Sequence, residues 1–343
     1  MKKPYKIIGS IVCCMMVTGF FFSCKGKGEK SNTDGVLSYL NFSESDYSNN
    51  ARGHSNALSI LAERGYLNFT DSKHGLEIGT KVRFYDTLDA MLMALHAGEI
   101  CTAGGFSHST AKYLISKDSS IQLAYEYNFP ENIPETDVVP YIAKALAKEG
   151  FAFMLMKENE GMRDQFNAVI DEMQKDGTLN QLIQTQITDV INGAEILPIK
   201  TESKLERDTI KVAVTGDLPP MDYVAPDGTF AGFNTAVLAE IGKRLNKNIE
   251  MVQVSSVARA AALASGTVDV VFWTRTNVGQ GVPYMSKIIV EGEDKAAMDK
   301  LRSGVTNDRT KHRSVIAKKD MPDNTIVTKV YFADYPCAVM QKE

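Results

Sequence analysis

The chain has 343 residues, of which 44% are hydrophobic and 23% are charged, and 38 Lys and Arg residues oppose 42 Asp and Glu residues. This composition excludes a disordered, collagen-like or low-complexity protein. The net charge of -4 gives no support for nucleic-acid binding, which usually needs a clustered basic face. The length suits two domains of about 100–200 residues each. After residue 30, no apolar run reaches the ~18–20 residues of a membrane span.

The amino terminus has the pattern of an export signal. Lys2, Lys3 and Lys6 precede an apolar stretch from Ile7 to Phe22, and a small residue follows before a cleavage point. An N-terminal membrane anchor is the alternative, although the stretch is short for a span. We therefore expect residues 1–23 to be a signal peptide.

Phe21-Phe22-Ser23-Cys24 resembles a bacterial lipobox, in which the Cys becomes the lipidated first residue, with Phe21 in place of the usual Leu. Residues 24–34 then form a polar tether that holds a domain off a membrane surface. The resemblance implies a protein of the bacterial cell envelope, on the periplasmic side, that reaches the membrane through a lipid anchor only. Of the remaining cysteines, Cys101 and Cys337 lie in strand-like runs, and they are either buried thiols or, in an oxidising compartment, a disulfide.

From Val36 onward, short apolar runs alternate with segments of helical period, which predicts β/α units around a mainly parallel sheet. The predicted strands of the first half are Val36–Leu40, Lys81–Tyr85, Ile100–Ala103, Ile121–Tyr127 and Phe151–Met156. The predicted helices are near Arg52–Tyr66, over Thr87–Ala97, over Ser109–Ser116, around Phe166–Met173, and from Leu179 to about Ile187.

Residues 191–208 have no clear period and are interpreted as a linker, after which a second β/α series begins. Its predicted strands are Ile210–Val214, Ile249–Val254, Val268–Trp273, Ile326–Phe332 and Cys337–Met340. Its predicted helices are Phe233–Leu245 and Val257–Ser265, and a hairpin turns at Asp227-Gly228. Residues 291–313 are charged, which predicts a solvated helix and loop.

A set of short motifs occurs in a fixed order between Ile210 and Trp273. The set is Pro219-Pro220, Asp227-Gly228, Gly232-Phe233 and the run Leu263-Ala264-Ser265-Gly266-Thr267-Val268-Asp269. This stretch resembles the first lobe of the bacterial extracellular solute-binding proteins of the polar amino-acid type, family 3. Residues 81–190 resemble the second half of the same family, through Thr87–Ile100, Cys101–Ile115 and Asp176-Gly177-Thr178-Leu179.

The two halves stand in reversed order, so the resemblance implies a circularly permuted periplasmic-binding-protein fold of type II. In this α/β fold each of two lobes is a mainly parallel sheet flanked by helices. The expected parts are a second-lobe-like unit at 35–150, a crossover strand with helices for the other lobe at 151–190, the linker at 191–208, and a first-lobe-like unit with a final crossover strand at 209–343. The alternative is two unrelated fragments, or half-domains that need partner chains.

The resemblance implies a non-catalytic receptor that captures a small polar or acidic solute in the cleft between the lobes, for an ABC transporter permease or a sensor, without cofactor or metal. Open α/β sheets bind ligands at the carboxyl ends of their strands. The candidate ligand-binding residues are therefore Asp217, Met221, Tyr223, Ser255, Trp273, Thr274, Arg275, Ser43, Ser45, Asp86, Phe106 and Ser107.

Several candidates have an equally simple structural role. Ser43 and Ser45 suit helix capping, Trp273 suits the lobe core, and Arg275 suits either a solute carboxylate or a salt bridge. The family Asp that holds an amino group aligns near Ser107, so amino-acid binding does not follow from the resemblance.

Family members that bind α-amino acids usually have a Thr-x-x-Arg sequence, whose Arg binds the carboxylate. No such sequence directly follows Trp273, although Thr306 to Arg309 has this spacing. Two other functions stay open. A dehydratase-like enzyme of this fold would need an acid or base such as Asp217, Asp86 or His108. The third possible function is that of an interaction protein that has this fold but binds no small ligand.

Overall fold

The computed structural model describes residues 36–40, 57–58, 60–70, 81–130, 133–134, 136–201, 203–204, 206–255, 258–277, 290–304 and 324–342. The signal peptide, Cys24, Ser43, Ser45 and the Thr306–Arg309 step lie outside the described residues, as does the start of the helix predicted near Arg52. In the described ranges, no helix is both long enough and apolar enough to cross a membrane.

Two open sheets form the framework of the molecule. The sheet of the amino lobe has five strands in the order β3-β1-β4-β16-β5. These are β1 (Val36–Leu40), β3 (Lys81–Tyr85), β4 (Thr102–Ser107), β5 (Ile121–Leu123) and β16 (Pro336–Gln341). A small separate ladder pairs β2 (Leu67–Phe69) with β6 (Tyr125–Tyr127).

The sheet of the carboxy lobe has the order β12-β8-β13-β7-β14, and β15 also pairs with β7. These are β7 (Glu149–Met156), β8 (Thr209–Val214), β12 (Asn248–Gln253), β13 (Val270–Asn277), β14 (Thr325–Val327) and β15 (Phe332–Asp334). A three-stranded hairpin sheet stands beside it, with β9 (Asp217–Leu218), β10 (Asp222–Val224) and β11 (Phe230–Ala231).

The two sheets have the same topology, and each borrows one strand from the other half of the chain. In both, the first strand is flanked by the second and third, and the borrowed strand runs antiparallel between the third and the fourth. The amino lobe borrows β16 from the end of the chain, and the carboxy lobe borrows β7. The predicted two-lobed α/β fold with mainly parallel sheets is therefore confirmed.

The helices cover the faces of these sheets, as the apolar periodicity predicted. They are α1 (Leu88–His96), α2 (His108–Lys117), α3 (Val138–Ala147), α4 (Glu160–Lys175), α5 (Thr178–Ile183), α6 (Asp189–Ile191), α7 (Phe233–Leu245), α8 (Arg259–Ala264) and α9 (Glu293–Gly304). A π-helical turn at Gln184–Thr188 joins α5 to α6.

The helices α4 and α5 pack on α7 of the carboxy lobe, although they follow the amino lobe in sequence. The predicted apolar face of α4, at Phe166, Val169, Ile170 and Met173, is buried there in the main core. The two halves of the chain therefore complete each other's lobes.

The connection between α6 and β8 runs along the surface of the carboxy lobe. Pro198 forms an isolated bridge with Ala231, and the Ile199 N–H donates to the Phe230 carbonyl at 3.0 Å. The buried Asn248 amide donates to the carbonyls of Lys204 at 2.8 Å and Arg207 at 3.1 Å. One side chain thus satisfies two backbone acceptors of the linker and holds it against the lobe.

Helix α9 differs from the expected solvated helix. Met298 and Leu301 are fully buried against α3 of the amino lobe. The Arg64 guanidinium pairs with Asp294 at 2.5 Å, and Lys300 pairs with Glu63 at 3.0 Å. The charge of this segment forms one face of an amphipathic helix, whose other face packs on the amino lobe.

Four further features depart from the sequence prediction. Helix α3 was not predicted because Pro140 interrupts its apolar period, but Pro140 lies in the first turn, where a missing N–H is tolerated. The single strand expected at Ile121–Tyr127 is divided at Ala124 into β5 and β6, and β2 was not predicted. The strand expected at Ile326–Phe332 is also two strands, β14 and β15.

Cys101 and Cys337 are buried thiols and form no disulfide. Cys101 lies just before β4, whereas Cys337 pairs opposite Phe106 near the other end of that strand. Five residues at about 3.3 Å each separate the two positions by about 16 Å. A disulfide needs Cα atoms within about 7 Å, so this alternative is wrong for the folded chain.

The Gly-Phe step at the start of α7 has a steric cause. Gly232 has φ of 91°, and a Cβ atom there would lie 2.7 Å from the Pro220 carbonyl oxygen. The Phe233 N–H donates to that same carbonyl at 3.0 Å, and the Asn234 N–H donates to Met221 O at 2.8 Å. The hairpin therefore caps α7 through its backbone, which leaves no space for a side chain at Gly232.

Gly232→Ala is expected to lower the free energy of unfolding by at least about 2 kcal/mol, because it combines left-handed strain with a backbone clash. Urea denaturation followed by circular dichroism measures it. Gly161→Ala in α4 is the matched control: nothing lies within 4 Å of its Cβ position. That change is expected to raise stability by about 0.5 kcal/mol. Equal effects of the two substitutions would contradict this account.

Candidate functional site

The two sheets face each other through the carboxyl ends of their strands. β7 enters its sheet with Glu149 opposite Asn277, the last residue of β13, and β16 enters with Pro336 opposite Ser107, the last residue of β4. The crossing segments also pair with each other, Asp334 opposite Glu149. These paired segments, which we call the hinge, join the two lobes beside the carboxyl ends of their strands.

Asp217 is one of the carboxylates at the boundary between the lobes. It follows β8 of the carboxy lobe, and β9 contacts α1, which follows β3 of the amino lobe. Burial raises the pKa of Asp217, whereas the Thr215 hydroxyl, the Leu88 backbone N–H and the Arg259 guanidinium lower it. Its Oδ1 atom is buried without a hydrogen-bond partner. The strand ends of the two lobes thus meet at a polar contact.

Asp222 organises the loop that presents Asp217. Its Oδ2 atom accepts hydrogen bonds from Thr215 N at 3.0 Å, Thr215 Oγ1 at 2.8 Å and Gly216 N at 2.5 Å. The side chain is 2% exposed, and its Oδ1 atom has no partner. Burial, together with a smaller effect of the nearby Asp217 charge, raises the pKa of Asp222 to about 6 in spite of these donors.

The amino lobe contributes a helix end and a phenol to the same boundary. Thr87 caps α1, and its hydroxyl accepts from Ala90 N at 3.3 Å. The pKa of Tyr113 on α2 is raised by burial and by the neighbouring Tyr223 of the carboxy lobe. Helix α6, which follows the helices of the carboxy lobe, also lies against α2. The two lobes therefore contact each other at several points along their boundary.

The sequence-predicted site residues fall into four groups. At or near the boundary are Asp217, Tyr223 and Asp86, the last exposed beside the Thr87 cap. Inside the protein core are Met221 (0% exposed) and Phe106 (2% exposed). Trp273, Thr274 and Arg275 are part of strand β13. Ser255 follows β12 and is exposed. Ser43 and Ser45 lie outside the described residues.

Ser107 ends β4 and caps α2, where its hydroxyl accepts from Thr110 N at 3.3 Å. Gly104 lies within β4 and allows β16 to approach, since an added Cβ would lie 3.0 Å from the Ala338 Cβ. Close strand packing explains this glycine without any ligand.

The carboxylate near Ser107 comes from the hinge. Asp334 accepts from Ser109 N at 2.9 Å and Ser109 Oγ at 2.7 Å, which gives α2 an anionic cap. Burial lowers the pKa of the adjacent His108, while Asp334 raises it. His108 therefore lies beside the hinge, apart from the Asp217 boundary.

Sequence reasoning missed Thr215, Asp222 and Arg259. Asp222 stands beside the candidates Met221 and Tyr223, and a carboxylate next to a rigid Pro-Pro loop was the available signal. Arg259 lies on an Ala-rich helix, where a lone Arg usually faces solvent, yet it is 8% exposed. In the described part of the chain, no cluster of three or more His, Cys, Asp or Glu could hold a metal ion.

Two mainly parallel sheets that exchange one strand each form a two-lobed α/β fold of type II. Residues 210–278 match the model of the bacterial extracellular solute-binding proteins, family 3. This match covers about a fifth of the chain and confirms the resemblance inferred from Ile210 to Trp273. No curated protein sequence matches the chain.

Solved structures of similar fold are distant. The ligand-binding component of an ABC-type import system from Staphylococcus aureus, with zinc bound, has 13% identity and a TM-score of 0.34, over 89% of this chain and 64% of that one. This chain thus spans less than two thirds of that protein. A phosphate-binding protein of Streptococcus pneumoniae has 10% identity and a TM-score of 0.29, over 90% and 88%.

A putative methionine-binding lipoprotein of Bacillus subtilis has 9% identity and a TM-score of 0.29, over 90% of this chain and 83% of that one. At these values no functional argument rests on the three structures.

Asp222→Asn is expected to change how stability depends on pH. The pKa of about 6 lies above the ordinary 3.8, so the folded state binds a proton between these values that the unfolded state lacks. Native stability therefore falls as pH rises through this window, by about 3 kcal/mol for this group. Denaturant unfolding should show the Asn variant more stable than the native chain at pH 7.5, and similar to it at pH 4.

Asp227→Asn is the matched control for that experiment. Asp227 is an exposed turn residue whose pKa is lowered, mainly by the backbone N–H of Thr229. Its ionised form is the favoured one in the fold, so this variant should lose stability at pH 7.5. A loss of stability at pH 7.5 in Asp222→Asn would show that the loop requires the ionised carboxylate, contrary to the expectation.

Proposed function

We propose that this chain is an extracytoplasmic receptor that captures a small polar or acidic solute in the cleft between its lobes, for ABC-type transport or sensing. The observation that carries this proposal is the meeting of the strand ends of both sheets at Asp217 and Leu88. A solute bound there contacts two bodies joined by a thin hinge, so its binding energy favours closure. The family match of residues 210–278 agrees with this role.

The chemistry of the cleft supports a polar solute. The carboxy lobe contributes Asp217, Thr215 and Arg259, and the amino lobe contributes the amino end of α1 and the Tyr113 hydroxyl. An acidic solute needs a cation to pair with its carboxylate. Arg275 follows the bulge in β13, at the carboxyl end of that strand, and it is the proposed partner.

The envelope location is part of the same proposal. An export signal at 1–23 and lipidation of Cys24 would place residues 24–34 as a tether between the membrane and β1. A chain held by lipid at one end can present its cleft to an ABC transporter permease in the same membrane. Metabolic labelling with a palmitate analogue, in the native chain and in Cys24→Ser, tests the anchor.

The solute can be identified from the protein itself. Native mass spectrometry of the chain purified from cells should show a bound species, which is then returned to the stripped protein in a thermal-shift titration. A receptor is expected to show a raised unfolding midpoint without chemical change of the compound. Conversion of the compound would favour an enzyme, and a chain that binds nothing would favour an interaction protein.

Arg275→Ala is expected to weaken binding of an acidic solute by about tenfold or more, because a charge-assisted hydrogen bond contributes about 1.5–3 kcal/mol. Isothermal titration calorimetry measures the change. Arg163→Ala is the control, since Arg163 lies on α4 and pairs with Glu160 and Asp164 outside the cleft. Unchanged affinity in Arg275→Ala would remove that residue from the site.

We further propose that the chain order arose by circular permutation, with domains at 35–150, 151–190 and 209–343 around the linker 191–208. Leu37 and Met340 both pair with Thr102, from opposite sides of β4. Adjacent strands lie about 4.8 Å apart, so these two residues are about 10 Å apart. The two ends of the described fold are thus neighbours, as expected for two positions that would be consecutive in the unpermuted family order.

A reordered chain tests this proposal. Four Gly and Ser residues, which reach about 13 Å, join Lys342 to Val36, and the chain is opened between Ala194 and Glu195, both exposed. We expect a native circular dichroism spectrum and a single cooperative unfolding transition. The same opening without the new junction is the control. A reordered chain that does not fold while the opened control does would contradict the proposed permutation.

A further inference from the structure

We propose that Asp334 determines where an acidic solute can bind: its carboxylate occupies the amino end of α2 as an internal anion and excludes an anionic group of the solute from that position. The inference rests on the proposed receptor function, because it concerns the selectivity of the same cleft. The contacts that carry it are present in the chain without any solute.

The amino end of α2 has the placement of an anion site. The helix has ten residues and begins at His108, directly after β4 ends at Ser107. It therefore starts at the carboxyl ends of the strands, where open α/β sheets bind ligands. The first N–H groups of a helix have no partner within the helix and together carry a partial positive charge. A free helix end at this place would attract carboxylate and phosphate groups.

The chain itself satisfies the N–H groups of the first three residues of α2. Ser109 N donates to Asp334 Oδ2 at 2.9 Å, and the Ser109 hydroxyl donates to the same oxygen at 2.7 Å. His108 N donates to the Tyr335 carbonyl at 2.7 Å. The N–H of the third residue donates to the hydroxyl oxygen of Ser107 at 3.3 Å. All three donors are therefore occupied before a solute arrives.

The hinge holds the Asp334 carboxylate in this position. The backbone of Asp334 belongs to β15, opposite Glu149 of β7, and its Oδ1 atom accepts from Tyr335 N at 2.8 Å. The Tyr335 ring packs against Tyr127 and Phe129, with ring centroids 4.7 Å and 5.0 Å away. Both carboxylate oxygens thus have partners. A solute anion would have to displace a carboxylate that is covalently attached and already oriented.

The charges around this helix end also oppose a second anion. Burial lowers the pKa of His108 and outweighs the effect of Asp334, so the imidazole is mainly neutral at pH 7. Lys112, one turn further along α2, pairs with Glu126 at 3.4 Å. An anion within hydrogen-bond distance of Ser109 would lie beside the Asp334 carboxylate. Like charges repel more strongly in such a partly buried place than in water.

Asp334 therefore sets the orientation of an acidic solute. Because the hinge side of α2 repels a second anion, a solute with one anionic group binds with this group toward the carboxy lobe, where Arg275 is its proposed partner. The two sides of the cleft then differ in selectivity: the carboxy lobe accepts the negative charge, and the amino end of α2 rejects it.

The test vacates the helix end and supplies a free anion. Asp334→Ala lacks the carboxylate, and formate has the size and charge of the lost group. Formate is titrated into the full chain without solute, with sodium chloride at equal ionic strength as the reference, and nuclear magnetic resonance follows the Ser109 amide. We expect a saturable shift of this signal in Asp334→Ala and none in the unsubstituted chain. At about ten times the Kd of formate, the ratio of folded to unfolded variant should rise about tenfold.

Asp118→Ala is the matched control. Asp118 accepts from Ser120 N at 2.8 Å and from Ser120 Oγ at 2.6 Å, so it binds the same pair of donors as Asp334 does at Ser109. It lies at the carboxyl end of α2, where a helix carries a partial negative charge. Formate should therefore neither shift the Ser120 amide signal nor stabilise this variant.

Two results would overturn the inference. One is a folded Asp334→Ala whose Ser109 amide does not respond to formate, since the helix end would then not be an anion position. The other is an equal response in the unsubstituted chain, since Asp334 would then exclude nothing. If Asp334→Ala does not fold, Asp334→Ser takes its place in the titration. Failure of both variants to fold, in formate as in chloride, also counts against the proposal, because Asp334 would then serve the hinge alone.

These outcomes are separate from those of the search for the solute. A chain from which no bound compound is recovered contradicts the receptor proposal, whereas formate still reports on Asp334. A Ser109 amide that does not respond to formate removes the anion exclusion and leaves the receptor proposal as it stands.

Discussion

The exchange of one strand between the two halves of the chain is the constraint on which the rest of this structure depends. β7 forms a central ladder of the carboxy lobe with β13 and β14, and β16 does the same in the amino lobe with β4 and β5. Without the borrowed strand, each sheet would lack a central ladder and expose backbone donors and acceptors that must be paired. Neither half is therefore a complete lobe, and the joint cleft follows from the pairing itself.

The polar residues of the cleft depend on that framework through backbone geometry. The Pro-Pro hairpin caps α7 at Gly232, and the same hairpin carries Asp217 and Asp222. The pKa of Asp222 is raised because burial disfavours its charged form. Its carboxyl group accepts three hydrogen bonds, which fix the loop after β8. The buried carboxyl group of Asp222 thus sets the position of Asp217 at the lobe boundary.

The sequence predicted the elements whose signal is local. The apolar period predicted α4 and α7, and the Asp227-Gly228 turn predicted the hairpin. Long-range packing decided the remainder. The burial of Met298 and Leu301 in α9 depends on an apolar partner surface on α3, which lies some 150 residues earlier in the chain. Arg259 is likewise buried, and it acts on Asp217, which lies 42 residues earlier in the chain, so no local pattern contains this contact.

The proposed circular permutation would leave the segments between the lobes intact for a geometric reason. Both crossing segments, before β7 and between β15 and β16, are continuous in this chain, whereas the first and last described strands, β1 and β16, lie on either side of β4. Val36 therefore starts at the side of the amino lobe opposite the strand ends that face the cleft. The tether proposed for residues 24–34 would attach at this side, so the proposed anchor and the strand ends that face the other lobe would lie at separate parts of the molecule.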